Sequence, residues 1–177
     1  MENRIWRMRP SEVVEQRKKL PVAYIPLGTI EWHGMHAPLG ADGLQAQELC
    51  RRCAREGGVV FPVVYYGESR VNMDEERFPY SGMEQVEHYQ HHLIHIMAEA
   101  ASYGFELAVF VAGHYPLVDH ARAAILSYNQ WAYDKKWKRI GGIAAADFLV
   151  LRDSYKDPGD HAGGWETSHL LASDPET

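Results

Sequence analysis

Short apolar runs alternate with longer segments of helical periodicity along this chain, and that alternation strongly restricts how it can fold. The runs are rich in Val, Ile and Phe and end at turn-forming residues, which is typical of buried strands. The predicted strands lie at 22–27, 59–66, 105–113 and 140–151. The predicted helices lie at 42–56, 83–103 and 116–136, with a short terminal helix from Glu166. The pattern predicts an α/β fold in which a mostly parallel sheet carries helices on both faces.

Length and charge set limits on the class of protein. A chain of 177 residues fits one domain, so we expect residues 1–177 to form a single domain. The net charge of -6 argues against a nucleic-acid partner, because such proteins carry basic surfaces that bind phosphate. The first residues lack the apolar core of a secretory signal, and no apolar run reaches the ~18 residues of a membrane span. We therefore expect a cytoplasmic protein that does not enter a membrane.

Polar side chains with metal-binding chemistry follow the predicted strands. Glu31, His33, His36 and Asp42 follow the first strand, His114 follows the third, and His161 and Glu166 follow the last. The carboxyl ends of parallel strands share one edge of a sheet, where ligands bind in folds of this kind. Carboxylate and imidazole groups together suit divalent ions such as Zn²⁺ or Mn²⁺, and a shared carboxylate can bridge two of them. Five of these residues form a set suited to that chemistry: Glu31, His33, Asp42, His114 and Glu166.

Each of these residues also has a simpler interpretation. Asp42 is a plausible N-cap of the helix that follows it. Glu31 and Glu166 could be solvated surface charges, and His114 could be a loop histidine. These simpler interpretations weaken when the residues are taken together, because all five fall at the same predicted sheet edge.

Three segments carry a family resemblance. They are "PLGTIEWHGMHAPLGAD" at 26–42, "VAGHYPLVDH" at 111–120 and "DHAGGWETSHLLASDPE" at 160–176. In this order they resemble the creatininase (creatinine amidohydrolase) family, whose members carry G-[ST]-x-E-x-H-G-x-H-x-P-x-G-x-D, N-G-H and H-A-G-x-x-E-T-S segments. The resemblance covers nearly the whole chain.

The resemblance implies a three-layer α/β/α metal-dependent amidohydrolase, usually hexameric, with two divalent ions. It assigns Glu31, His33 and Asp42 as ligands, with Asp42 as the bridge, and adds His114 and Glu166. The ions would be zinc or manganese, with iron as a further candidate. His161 matches the leading histidine of the third segment and is the expected proton donor, with His36 as its rival. The expected substrate is a small molecule with a C–N bond: a cyclic amide, a formamide or a terminal peptide bond.

The chain departs from the family pattern in two places besides its expected shortness at the C-terminus. The second segment reads Ala112-Gly113-His114, and Pro116 occupies a position where creatininase itself has a metal-binding glutamate. The second ion would then depend on Glu166 or be weakly held. A catalytically idle subunit with a structural or metal-binding role remains the alternative to an enzyme.

Two further groups of residues invite a functional interpretation. Trp32, Trp165 and Tyr115 flank the ligand segments and could form the walls of a substrate pocket, although core packing is nearly as plausible for the tryptophans. The helix at 83–103 carries four histidines in "EHYQHHLIH": His88, His91, His92 and His95. A solvated helix face is the preferred interpretation. A zinc pair at i,i+4 or a pH-sensitive subunit contact is the alternative.

Overall fold

The protein is described by a computed structural model over residues 2–67, 86–147 and 161–176. A 3-10 turn at Ile5–Arg7 precedes the regular elements. The helices are α1 (Pro10–Lys19), α2 (Ala41–Cys53), α3 (Val86–Ser102), α4 (Leu117–Asp134) and α5 (Gly164–Ser173). The strands are β1 (Val22–Leu27), β2 (Val59–Val60), β3 (Leu107–Ala112) and β4 (Gly141–Ala146). Within these residues, no helix is both long and apolar enough to cross a membrane.

The four strands form one parallel sheet in the order β2-β1-β3-β4. β1 and β3 pair over their full length, from Val22 opposite Leu107 to Leu27 opposite Ala112. Because the register is level, the segments that follow both strands leave the sheet side by side. The parallel α/β fold predicted from the alternating pattern is confirmed.

Helices cover both faces of the sheet, and side chains alternate between the faces as strand geometry requires. Ile25 and Phe110 point to the face where α3 and α4 supply much of the core. Tyr24 and Val111 point to the opposite face, where α2 packs. α5 packs against α2. This gives the three layers expected from the family resemblance.

The N-terminal region and the second strand differ from the predictions. α1 was not predicted from the sequence; it begins at Pro10, where a missing N–H costs nothing. The strand predicted at 59–66 extends only over Val59–Val60, because one extra residue breaks the ladder: the N–H of Phe61 still donates to Tyr24, but the next donor to β1 is the N–H of Val64, to Pro26. Val64 returns to the sheet through an isolated bridge to Leu27. The parts of the predicted elements at 83–85 and 148–151 lie outside the described residues.

Candidate metal centre

Five polar residues are buried together at the carboxyl edge of the sheet. Their exposed fractions are 1% for Glu31, 0% for His33, 2% for Asp42, 7% for His114 and 7% for Glu166. Glu31 and His33 lie in the segment after β1, and His114 follows β3 after a single glycine. Asp42 is in the first turn of α2, and Glu166 is in the first turn of α5. Four parts of the chain, the segments after β1 and β3 and the first turns of α2 and α5, thus converge on one point.

Glycines allow the start of α2 to approach the sheet closely enough to deliver Asp42. A β-carbon at Gly113 would lie 2.7 Å from the carbonyl carbon of Asp42, and one at Gly28 would lie 2.6 Å from the Cα of Gly43. Neither distance is compatible with a side chain. The backbones after β1 and β3 therefore contact the backbone of the first turn of α2 directly.

Among the described residues the donor atoms form three groups, of which two are triads that share Asp42 and the third joins Glu31, His33 and His161. In the first, His114 Nδ1 lies 2.8 Å from Glu31 Oε1 and 3.4 Å from Asp42 Oδ2. In the second, His33 Nε2 lies 3.2 Å from Asp42 Oδ1 and 3.7 Å from Glu166 Oε1. Within each triad all donor atoms lie within 4.8 Å of one another. The two oxygens of Asp42 thus face opposite triads, which is the arrangement of a bridging carboxylate.

The electrostatics of the cluster follow from burial and from opposite charge. Burial would lower the pKa of His33, but Asp42 and Glu166 raise it to about 10. Burial would also lower the pKa of His114, which Asp42 and Glu31 raise to about 9. Burial would raise the pKa of Asp42, but the two imidazoles lower it to about 2. The carboxylates thus favour positive charge at this point.

The donor set fits a divalent metal. Oxygen and imidazole nitrogen are the ligands that zinc and manganese accept. Asp42 Oδ2 is buried and accepts no hydrogen bond from the described residues, although His114 is near. His33 Nδ1 donates to the carbonyl oxygen of Glu31 at 3.2 Å, and a bond of this kind orients Nε2 toward the cluster.

The two candidate proton donors occupy different places. His161 Nε2 donates to the carbonyl oxygen of Trp32 at 2.7 Å, so that Nδ1 faces the cluster, 3.9 Å from Glu31 Oε1. Its ring lies 4.6 Å from that of His33. His36 is exposed, and its Nε2 lies 3.0 Å from Thr167 Oγ1. Of the two, only His161 has an ion-pair contact with the donor cluster among the described residues.

The three aromatic residues predicted to line a pocket differ in exposure. Trp32 and Tyr115 are half-buried, next to the cluster in sequence. Trp165 is buried, and its ring lies 5.5 Å from that of His169.

Several residues that support the site were not singled out from the sequence. Gln45 is buried and donates from Nε2 to the carbonyl oxygen of Glu166 at 3.3 Å. Its position three residues after Asp42 on a helix could have indicated it. The N–H of Ala162 donates to Glu166 Oε2 at 2.6 Å, from a left-handed residue with φ of 56°. Asp147, buried directly after β4, lies 3.6 Å from His169 Nδ1.

The simpler interpretations of the acidic residues are wrong. Asp42 does not cap α2: the N-cap is Gly40, without a side-chain hydrogen bond, and Asp42 lies within the helix. Glu31 and Glu166 are buried and are not solvated surface charges. The loop histidine His114 is also buried and contacts two carboxylates.

Comparison with known proteins supplies the family. The sequence model of the family described as "Creatininase: Creatinine amidohydrolase" matches residues 6–177. The chain belongs to the creatininase family. The resemblance stated from three segments is thereby confirmed.

Known relatives of this creatininase-family chain are longer than it is. It is 29% identical over 167 residues to a mycofactocin precursor peptide peptidase from Mycobacterium ulcerans (strain Agy99). That match covers 88% of the chain but only 60% of the relative.

Solved structures show the same fold. A creatinine amidohydrolase (creatininase) structure superposes with a TM-score of 0.79 at 20% identity, covering 99% of this chain and 73% of its own. A creatininase described as the Mn form gives a TM-score of 0.79 at 21% identity, covering 99% and 74%. A creatininase mutant of "Zn-Zn type" gives 0.81 at 21% identity, with the same coverage.

Proposed function

We propose that this protein is a metal-dependent amidohydrolase that cleaves a C–N bond in a small amide substrate. The observation that carries the proposal is the pair of donor triads joined by Asp42. Membership of a family described as creatinine amidohydrolases supports the same reaction class. A cyclic amide, a formamide and a terminal peptide bond are the candidate substrates, and one relative is named as a peptide peptidase.

We propose two divalent ions, one for each triad. Glu31, Asp42 and His114 would hold the first, and His33, Asp42 and Glu166 would hold the second. Zinc and manganese are the preferred metals, since solved creatininases include Mn and Zn-Zn forms, and iron remains a candidate. When bound, such ions make water a stronger nucleophile and polarise a carbonyl group.

The chain's own residues would then orient the substrate and supply a proton. An amide nitrogen is a poor leaving group unless it is protonated. His161 is the proposed acid: its Nε2 is committed to the Trp32 carbonyl oxygen, so Nδ1 is the nitrogen that can pass a proton toward the cluster. His36 is the alternative acid. Trp32, Tyr115 and Trp165 are proposed to bound the substrate pocket.

A second candidate function is a catalytically idle, metal-binding subunit. Pro116 favours it, because proline has no side-chain donor at the position where creatininase has a metal-binding glutamate. In this structure the carboxylate of Glu166 lies next to His33 and completes the second triad. We therefore favour the enzyme.

We also propose that the chain assembles into a homo-oligomer, with a hexamer as the expected state. Its cytoplasmic location remains a prediction from the sequence.

One experiment separates these functions. The purified protein is loaded with zinc or manganese, freed of excess metal, and measured for both metal content and hydrolysis of creatinine, formamide and short peptides. An enzyme is expected to bind metal and release amine from at least one amide class. Bound metal without turnover on the entire panel would favour the idle subunit, and absence of metal uptake would contradict both.

A further inference from the structure

A cavity lies between the segment at 63–66 and the first turns of α3, and one of its lining residues, Tyr65, also lies against the first turn of α2. Its volume is about 350 Å³, within the range that small-molecule sites occupy. Two valines contribute apolar surface. Among the described residues, the polar groups of the lining are three tyrosines and two histidines: Tyr65, Tyr66, Tyr89, His88 and His92.

The structure separates the four histidines of α3 into two pairs. His88 and His92, four residues apart on one helix face, line the cavity. His91 instead packs near Trp131, with ring centroids 6.0 Å apart, and His95 lies 3.4 Å from Glu99. The two pairs differ in surroundings although all four side chains are exposed.

Each polar side chain that lines the cavity among the described residues can donate a hydrogen bond. An imidazole has at least one N–H in either protonation state, and a neutral phenol has an O–H. Burial raises the pKa of Tyr89, and burial together with the charge of Asp42 raises that of Tyr65, so both phenols stay protonated. The described lining residues include no carboxylate. A ligand that accepts several hydrogen bonds is therefore favoured over one that donates them.

The hydroxyl of Tyr89 is the most specific indication of a ligand. Tyr89 is 6% exposed, and its hydroxyl forms no hydrogen bond with any described residue. A buried hydroxyl without a partner costs free energy, which a bound acceptor would recover once a shift of the Tyr89 ring opens the hydroxyl to the cavity. Zinc is less suited to the cavity, because it takes four ligands and the described lining has only two imidazoles and no Cys, Asp or Glu.

Tyr65 connects this cavity with the metal centre. Its ring lies so close to Gly43 that a β-carbon there would overlap it, and it also contacts Gly40. These glycines flank Asp42. One ring therefore borders both the cavity and the helix turn that carries the bridging carboxylate.

We propose that this cavity binds the carboxylate-bearing, apolar end of the amide substrate. His88, His92 and Tyr89 would donate to the carboxylate, and the aromatic and valine surface would hold the apolar portion. The role of the cavity in substrate binding rests on the proposed amidohydrolase function. The binding of a carboxylate in the cavity does not depend on that function.

The binding claim is tested on metal-loaded protein with 4-fluorobenzoate and its neutral analogue 4-fluorobenzamide, by fluorine NMR. We expect the carboxylate to bind more tightly than the amide. We expect the double variant H88Q/H92Q to weaken carboxylate binding at least roughly tenfold, as loss of charge-assisted hydrogen bonds does. The matched double variant H91Q/H95Q, on the same helix, should bind as wild type does. Equal binding by both double variants, or none by wild type, would overturn the proposal.

A metal-centre variant separates this proposal from the proposed function. If His33→Gln abolishes benzoate binding while H88Q/H92Q leaves it unchanged, the carboxylate sits on the metal and the cavity proposal fails. If binding requires His88 and His92 but no amide is hydrolysed, the cavity is a carboxylate site and only the amidohydrolase function fails. With turnover established, H88Q/H92Q should raise KM for carboxylate-bearing amides and leave kcat within roughly threefold.

Discussion

Asp42 is the residue on which the candidate metal centre depends most, because each triad includes one of its oxygens. We predict that Asp42→Ala reduces bound metal to less than half of the wild-type content and abolishes hydrolysis at the same time. Elemental analysis of the purified variant checks the first effect, and an amide hydrolysis assay checks the second.

Asp119→Ala is the matched control for this substitution. Asp119 is also a first-turn helix carboxylate, but it is exposed and pairs with Arg122 at 3.2 Å on the surface. Its loss should leave metal content unchanged. Full metal content in Asp42→Ala would show that the two triads do not share a ligand.

A second prediction at the residue scale concerns the proton donor. We predict that His161→Gln retains metal and loses roughly 10²–10⁴-fold in rate, the usual contribution of a positioned general acid. His36→Gln should remain within a few-fold of wild type, because His36 is exposed and contacts Thr167. Steady-state kinetics of both variants with metal content measured in parallel decides between them, and the reverse pattern would move the acid to His36.

Much of the site at the residue scale could be predicted from the sequence. Residues that follow parallel strands meet at one edge of the sheet, and this rule predicts that Glu31 and His114 lie close together. The grouping into triads could not be predicted, because it depends on where α2 and α5 begin in space. Asp147 was missed for a related reason: it lay inside a predicted strand that in fact ends at Ala146.

At the scale of elements, the approach of α2 to the sheet determines whether Asp42 reaches its partners. We predict that Gly113→Ala lowers the melting temperature and releases metal, because its β-carbon would lie 2.9 Å from the Cα of Asp42 and must displace the helix start. Overpacking of this kind costs roughly 1–3 kcal/mol. Differential scanning fluorimetry and elemental analysis measure the two effects.

Gly164→Ala serves as the control for backbone crowding. A β-carbon at Gly164 would meet no atom within 4 Å, and the residue is the first of α5. We expect its melting temperature to stay at or slightly above that of wild type, since alanine favours helix over glycine. If Gly113→Ala behaved in the same way, close backbone contact would not be what positions Asp42.

Elements with strong periodicity were predicted well, and the exceptions have local causes. β1 was predicted at its exact bounds, because six apolar residues stand between turn formers. β2 is shorter than its apolar run, since one extra residue between the donors Phe61 and Val64 breaks the ladder with β1. α1 is not predicted from the sequence because its only buried residue is Gln16, so the helix has no apolar stripe.

At the scale of the whole molecule, large apolar side chains remain on the surface of α4. Leu126 is 73% exposed, Tyr133 69% and Trp131 40%. Leu126 and Tyr133, seven residues apart, share one face of the helix, and exposed apolar side chains on one face are typical of surfaces that contact another chain. We predict an assembly, with six times the 20.2 kDa chain mass as the expected value. Size-exclusion chromatography with light scattering measures it, and a monomer at micromolar concentration would contradict the prediction.

The strand order β2-β1-β3-β4 is the part of the architecture that the sequence left open. Helical and extended periodicity report local structure, whereas strand order depends on contacts between distant segments. Right-handed crossovers limit the possible orders but leave several. The carboxyl edge holds the same residues in any of them, which is why the site was easier to predict than the topology.

The glycine contacts beneath the metal centre bear on how this protein could be adapted to new amides in the laboratory. Positions 28 and 113 have no room for a single methyl group, so mutant libraries that include them would mostly yield inactive clones. Trp32 and Tyr115 are half-buried beside the ligands, and we expect a change of size there to disturb the α2 backbone less. Selection for a different substrate should therefore accumulate its substitutions in the side chains around the site and leave the backbone under it unaltered.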